Sequence, residues 1–210
     1  MKQDRMSLSG EKGREWWNQI AKPAKRYERL GKYAEAFMKL SGVKKGDSVF
    51  DMGCGSGTLD LPLADLGVSV FCADYAENML KSLENVIHEE KLTGLSTCLL
   101  AWEDDWKRLS LPVCTMAFAS RCMIDVDPYE AIGKLNSVAS KRVCLTVPVD
   151  AGLFHSKDSP YDLGSQEDMQ AYLDRCLGAV KKLGYEPELN YIYDSKGRGE
   201  KHWAFISFNK

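Results

Sequence analysis

The sequence predicts an α/β fold, a mostly parallel sheet with helices on both faces, and three observations carry that prediction. The apolar run Val49-Phe50-Asp51-Met52 ends in the glycine turn Gly53-Cys54-Gly55-Ser56-Gly57, and a helical pattern follows at once. A second apolar run, Ser69 to Ala73, ends on an acid, Asp74, about twenty residues past that turn. From there short apolar runs alternate with helical stretches until two runs flank Ser195-Lys196-Gly197-Arg198-Gly199, which reads as a β-hairpin.

The elements follow in order. From Gly10 to Leu40 apolar residues recur at helical spacing (Trp16, Trp17, Ile20, Tyr27, Leu30, Tyr33, Phe37), and Pro23 splits the pattern into two helices or one kinked helix. Gly42 to Asp47 is a turn, Ser48 to Met52 a strand, and the glycine turn leads into a helix from Thr58 to Leu66 that Gly67 stops. After the strand ending at Asp74, a helix from Glu77 to Glu90 carries Met79, Leu80, Leu83, Val86 and Ile87 on one face. Thr93-Gly94 turns the chain into a third strand, Ser96 to Ala101, and the fourth is Val113 to Ala119. Asp127-Pro128 starts a helix as N-cap and first helical residue, running to about Ala139. The fifth strand, Arg142 to Val147, stops at Pro148, and an irregular stretch follows through Leu163. Ser165 and Asp168 form an acidic capping box for a helix from Gln166 to Leu183 that ends at Gly184. Glu188 to Tyr193 and His202 to Phe208 are the arms of the hairpin.

Composition narrows the function. At 210 residues the chain fits one domain with a full core, and its formal net charge of −2 gives no pull toward nucleic acid or an anionic membrane. No apolar run reaches membrane-spanning length and Met1 to Gly13 is polar, so the expected location is cytoplasmic. Seven cysteines and three histidines show no CxxC pair and no metal-ligand spacing, so neither a disulfide framework nor a metal site is expected. Cys72, Cys98, Cys114 and Cys144 fall in or beside strands, where cysteine acts as a small hydrophobe, and Cys122, just past a strand end, is the one placed for chemistry.

The glycine turn carries the chemistry. Glycines permit positive φ and leave no Cβ in a ligand's way, and an acid closing the next strand can accept both hydroxyls of a ribose. NAD and S-adenosylmethionine share that ribose, so Asp74 alone does not name the cofactor. The spacing does: a dinucleotide fingerprint needs Gly at 58, where this chain has Thr58, and its third glycine is Gly57.

The GxGxG form resembles motif I of the class I S-adenosylmethionine-dependent methyltransferases, and from Val49 onward the element order is similar to theirs, including the closing hairpin. The resemblance implies a Rossmann-like sheet of seven strands in residues 43–210, with residues 1–42 as an N-terminal helical cap of the kind small-molecule members carry. It implies that Asp51, Gly53, Cys54, Gly55, Ser56 and Gly57 hold the methionine end of the cofactor and that Asp74 and Tyr75 hold ribose and adenine. After the third strand the family often has an acid beside the adenine; here Trp102, Glu103 and Asp104 are the candidates, an indole to stack and a carboxylate to accept from the exocyclic amine. Ser120, a further cofactor-binding candidate, and Arg121, a catalytic candidate, stand where the fourth strand ends, on the edge where open α/β sheets bind ligands. Arg121 either clamps an anionic substrate, bonds the cofactor's carboxylate, or pairs with Asp125 or Asp127. His155, in the irregular stretch, is a candidate general base or a solvated loop histidine. Trp16, Trp17 and Tyr27 either wall the site or pack in the core.

The expected activity is methyl transfer from S-adenosylmethionine to a small-molecule acceptor, leaving S-adenosylhomocysteine. The rivals are an S-adenosylmethionine-binding protein without catalysis and, with less support, an NAD(P)-dependent oxidoreductase.

Overall fold

The computed structural model describes residues 10–21, 31–150, 165–193 and 201–210. Helices α1 (Gly10–Ile20) and α2 (Lys32–Ser41) precede strand β1 (Ser48–Met52), helix α3 (Asp60–Leu66), β2 (Ser69–Asp74), α4 (Glu77–Glu89) and β3 (Leu95–Leu99). Then come β4 (Cys114–Ala119), α5 (Pro128–Ser137), β5 (Ala139–Pro148), α6 (Gln166–Lys182), β6 (Glu188–Tyr193) and β7 (Lys201–Asn209). The strands form one seven-stranded sheet in the order β3-β2-β1-β4-β5-β7-β6. All neighbours are parallel except β7, which runs antiparallel to both β5 and β6.

Alternation along each strand decides which layer a side chain joins. In β1, Val49 points to the face covered by α2, α3 and α4, while Phe50 and Met52 point to the face covered by α5 and α6. In β4, Met116 and Phe118 take the first face and Ala117 and Ala119 the second. Both faces are buried, so these strands read as continuous apolar runs.

The predicted caps are present. The Asp127 side chain accepts the N–H groups of Tyr129 and Glu130 with Pro128 behind it, and Ser165 and Asp168 make the reciprocal capping box. Several bounds moved. The third helix begins at Asp60 rather than Thr58, because residues 55–59 remain in turns beyond the carboxyl end of the central strand β1. The helix expected to reach Ala139 ends at Ser137, and Ala139 opens β5, which pairs with Cys114 across the sheet.

The two N-terminal helices differ in role. Helix α2 supplies core: Phe37, with no exposed surface, meets the Phe118 and Phe205 rings edge-on at 5.1 Å each. Helix α1 is peripheral, tied to the start of α4 where Asn18 Oδ1 accepts the Asn78 backbone N–H at 2.9 Å and the Asn18 carbonyl accepts its side-chain amide at 3.0 Å. No helix among the described residues is long and apolar enough to cross a membrane. Tyr27, Pro23 and the hairpin turn from Ser195 to Gly199 lie outside the described residues.

Candidate functional site

The chain reverses its winding direction between β1 and β4, and at such a switch point the loops leaving the carboxyl ends of the strands part to leave a crevice. A cavity of about 400 Å³ opens there. Its floor is the glycine turn after β1, its sides are the residues following β2, β3 and β4, and Trp17 of α1 and Trp203 of β7 close it from above and beside.

Each glycine of the turn answers a different demand. Gly53 (φ +73°) lies under the loop leaving β4, where a Cβ would stand 2.4 Å from Cys122 Cβ and 2.7 Å from its sulfur. Gly55 (φ +57°) has nothing within 4 Å of that position and faces the cavity. Gly57 does not line the cavity: a Cβ there would stand 2.6 Å from Leu83 Cδ1 of α4, so the glycine serves helix packing rather than ligand contact.

Asp74 fastens this turn to β2. One carboxylate oxygen accepts the Gly55 N–H at 2.8 Å and the other accepts the Ala76 N–H at 2.8 Å, while the side chain still reaches the cavity wall. The two oxygens together offer about four lone pairs, more than the backbone donors use, so acceptor capacity remains for a ligand hydroxyl. Burial raises its pKa, and the N–H donors of Ala76, Gly55 and Tyr75 oppose that rise. Tyr75 lies next to it in the wall under the Arg14 guanidinium, 5.8 Å from the ring centre, and burial followed by the Asp74 and Glu103 charges raises its phenol pKa.

Asp51 is buried in the cavity floor, and Asp60, with no exposed surface, opens α3 beside it. Asp51 Oδ1 and both oxygens of Asp60 find no donor in the protein. Two desolvated carboxylates side by side cannot both stay ionised, and a proton shared between them satisfies both. Burial, then the neighbouring Asp60 charge, pushes Asp51 well above the usual carboxylate range, and burial lifts Asp60 to about 6. The folded pair therefore holds protons that the unfolded chain has already released, so its stabilising contribution is full below about pH 4, falls as pH rises through about 6 where Asp60 ionises, and goes on falling above that while Asp51 keeps its proton. In Asp60→Asn the amide donates to Asp51 without a shared proton. The variant should show a shallower decline, because Asp51 is then raised without the Asp60 charge, and should gain on the order of 1–3 kcal/mol on the wild type between pH 4 and 7 in urea unfolding. Parallel pH profiles for the two proteins would rule the shared proton out.

Of the remaining candidates, Cys54, Ser56, Trp102, Glu103, Ser120 and Arg121 line the cavity. Trp102 stacks on Trp106 at 5.5 Å, leaving its other side for a ligand. Asp104 is turned away: its carboxylate accepts the Ala101 N–H at 2.8 Å and shapes the turn, so it does not join Glu103 in the wall. Cys122 donates its S–H to the Met52 carbonyl at 2.9 Å, and burial, then Asp51 and Asp74, pushes its pKa well up, so it remains a thiol that braces the loop. Trp17 lines the cavity with Trp16 edge-on behind it at 4.8 Å. His155 lies outside the described residues. Among those described, no cluster of His, Cys, Asp or Glu could hold a metal ion.

Sequence reasoning missed Tyr33. Its hydroxyl lies 2.8 Å from Ser120 Oγ and 2.9 Å from Thr146 Oγ1, joining α2 to the ends of β4 and β5. Burial pushes its pKa up to about 12, so it stays a neutral phenol. Its helical spacing marked it as core, and nothing local reveals a partner more than eighty residues away.

Known proteins agree with this geometry. The family described as tellurite resistance protein TehB matches residues 23–106, which include the glycine turn and Asp74. An uncharacterized protein of Haemophilus influenzae is 29% identical over 177 residues, covering 81% of this chain, and the chain spans 63% of that relative's length. Magnesium protoporphyrin IX methyltransferase of Synechocystis PCC 6803, solved with S-adenosylmethionine, superposes with a TM-score of 0.64 at 15% identity over 97% of this chain and 93% of its own. Geranyl diphosphate C-methyltransferase of Streptomyces coelicolor A3(2), solved with S-adenosylhomocysteine, gives 0.62 at 11% identity over 84% and 78%. An S-adenosylmethionine-dependent methyltransferase of Aquifex aeolicus gives 0.61 at 16% identity over 93% and 97%. With strand order, antiparallel closure and cavity position all in register, the chain has the class I S-adenosylmethionine-dependent methyltransferase fold.

Proposed function

We propose that this protein binds S-adenosylmethionine in the cavity over the glycine turn and transfers its methyl group to a small-molecule acceptor. One observation carries the reading: Asp74 hydrogen-bonds the N–H of Gly55, so ribose acceptor and open glycine form one rigid unit facing the same space. Asp51 adds a buried oxygen without a donor in the same floor, which suits an ammonium, and an ammonium there would displace the shared proton. S-adenosylmethionine, when bound, supplies an activated methyl group on a sulfonium.

The residues do the rest by positioning. Asp74 and Tyr75 hold the nucleoside, Trp102 and Glu103 flank the base, and Asp51 with Gly53 to Ser56 holds the amino-acid end. Trp17, Trp203 and Met79 exclude water from the centre, which strengthens every electrostatic contact inside. A small organic acceptor is supported by the relatives whose names specify magnesium protoporphyrin IX and geranyl diphosphate as what they methylate. The absence of a strong net positive charge argues against a nucleic-acid substrate, and the whole chain acts as one cytoplasmic domain.

Titration calorimetry tests the proposal. S-adenosylmethionine and S-adenosylhomocysteine should both bind, with proton release visible as a dependence of the heat on buffer, and NAD should not. NAD binding with no response to either sulfur compound would overturn the assignment. Binding without transfer to a broad acceptor panel would favour a sensor over an enzyme.

A further inference from the structure

Arg121 sits at the end of the cavity away from Asp74, toward β5 and β7, and three features of its setting are independent of the glycine turn. Its backbone is left-handed at φ +59°, a conformation that non-glycine residues adopt only under constraint, and its N–H is held there by Thr146 Oγ1 at 2.9 Å. Its guanidinium lies 4.6 Å over the Tyr33 ring, and Tyr33 is itself fixed by Ser120 and Thr146. Among the described residues it makes no ion pair: Asp127, the acid nearest in sequence that caps a helix, is taken by Arg175 at 2.7 Å. A left-handed backbone held by Thr146 and a half-buried aromatic ring thus place one exposed cation in the cavity wall with no ion pair among the described residues, while its charge also reaches the buried Asp51. The flanking wall, Ile124, Val126 and Trp203, is apolar.

We propose that Arg121 is the acceptor-specificity residue, and that it selects an organic acid, pairing with the acceptor's carboxylate while Trp203, Ile124 and Val126 take its hydrocarbon body. This rests on the cofactor reading above. A guanidinium presents two parallel donors that match a planar carboxylate, and lying on an aromatic ring it is less hydrated than an ammonium would be. With ribose and amino-acid end assigned to the β1 and β2 side of the switch point, the β4, β5 and β7 side is left for the acceptor.

The experiment uses the full chain, free and saturated with S-adenosylhomocysteine, titrated with 3-phenylpropionate and with its neutral isostere 3-phenylpropanamide. The acid should bind at least tenfold more tightly than the amide. Arg121→Gln should reduce the acid to the level of the amide, Arg121→Lys should restore part of the difference, and S-adenosylhomocysteine affinity should stay within about twofold in both variants. Equal binding of acid and amide to the wild type, or acid binding untouched by Arg121→Gln, overturns the proposal. A tenfold loss of S-adenosylhomocysteine affinity in Arg121→Gln also overturns it, because the guanidinium then serves the cofactor's own carboxylate. Inorganic oxyanions competing with S-adenosylhomocysteine-loaded protein better than the acid does would sink the organic half of the assignment. If the wild type ignores S-adenosylhomocysteine yet takes the acid through Arg121, the cofactor reading fails while the anion site stands.

Discussion

Gly53→Ala is expected to destabilise the protein by about 2–5 kcal/mol, whereas Gly55→Ala, two residues on, is expected to stay folded and lose cofactor affinity. The two glycines share a left-handed backbone, with φ of +73° and +57°, so conformational strain of about 1–2 kcal/mol is common to both. Space separates them. A methyl on Gly53 would meet Cys122 Cβ at 2.4 Å, and that carbon cannot yield easily because the Cys122 thiol is bonded to the Met52 carbonyl. Overpacking of this kind costs a further 1–3 kcal/mol or so and displaces the loop that carries Arg121. A methyl on Gly55 meets no protein atom within 4 Å and projects into the cavity. There it would occupy the space of the ligand, weakening S-adenosylmethionine roughly tenfold or more, the scale of a single misplaced carbon. Urea unfolding and calorimetry on the pair give the answer. Equal destabilisation of both variants, with unchanged affinity in Gly55→Ala, would show that the turn does not face the cofactor.

The contrast explains how much of this protein was legible in its sequence. Elements set by local chemistry were readable: the Asp127-Pro128 and Ser165/Asp168 caps stand where spacing put them, and the seven strands follow apolar runs between turn residues. The turn after β1 and the acid closing β2 were readable for the same reason, since both are properties of short segments. What depends on contacts between distant segments was not. Asp60 sits in a helical stretch among Leu59, Leu61 and Leu63, and only the approach of α3 to the end of β1 brings it against Asp51 as a buried acid pair. Tyr33 follows the helical period of a core residue, and only the sheet order places its hydroxyl against Ser120 and Thr146. Asp104 shows the reverse error. As one of three successive candidates after β3 it looked equivalent to Glu103, but the turn needs its carboxylate for the Ala101 N–H and only Glu103 is left facing the cavity. The helical cap likewise divides on packing rather than pattern, because α1 and α2 carry similar aromatic spacing, yet Phe37 is sealed between Phe118 and Phe205 while Trp17 borders the cavity.

Asp74→Ala should produce the largest loss of cofactor binding, at least tenfold, together with a measurable loss of stability. Two effects add. In the free protein the carboxylate holds Gly55 and Ala76 by one N–H each at 2.8 Å, and charge-assisted bonds of this type contribute about 1.5–3 kcal/mol apiece, offset in part by the cost of burying the charge that raises the group's pKa. Alanine leaves both donors unpaired and frees the glycine turn, so the cradle itself loosens. In the complex the same oxygens have lone pairs left for the ribose hydroxyls, and those contacts vanish too. Asp74→Asn separates the two effects. Its amide oxygen can keep one backbone N–H while its NH₂ group confronts the other, so the turn is half held, and stability should fall between wild type and alanine. Affinity for S-adenosylhomocysteine should fall by nearly as much as in alanine, because an amide cannot accept from both hydroxyls at once. Calorimetry on both variants, after thermal unfolding has shown each to be folded at the temperature used, gives the two quantities independently. A folded Asp74→Ala with the wild-type dissociation constant would leave Asp74 a purely structural clasp between β2 and the glycine turn, and would move the ribose to another wall of the cavity.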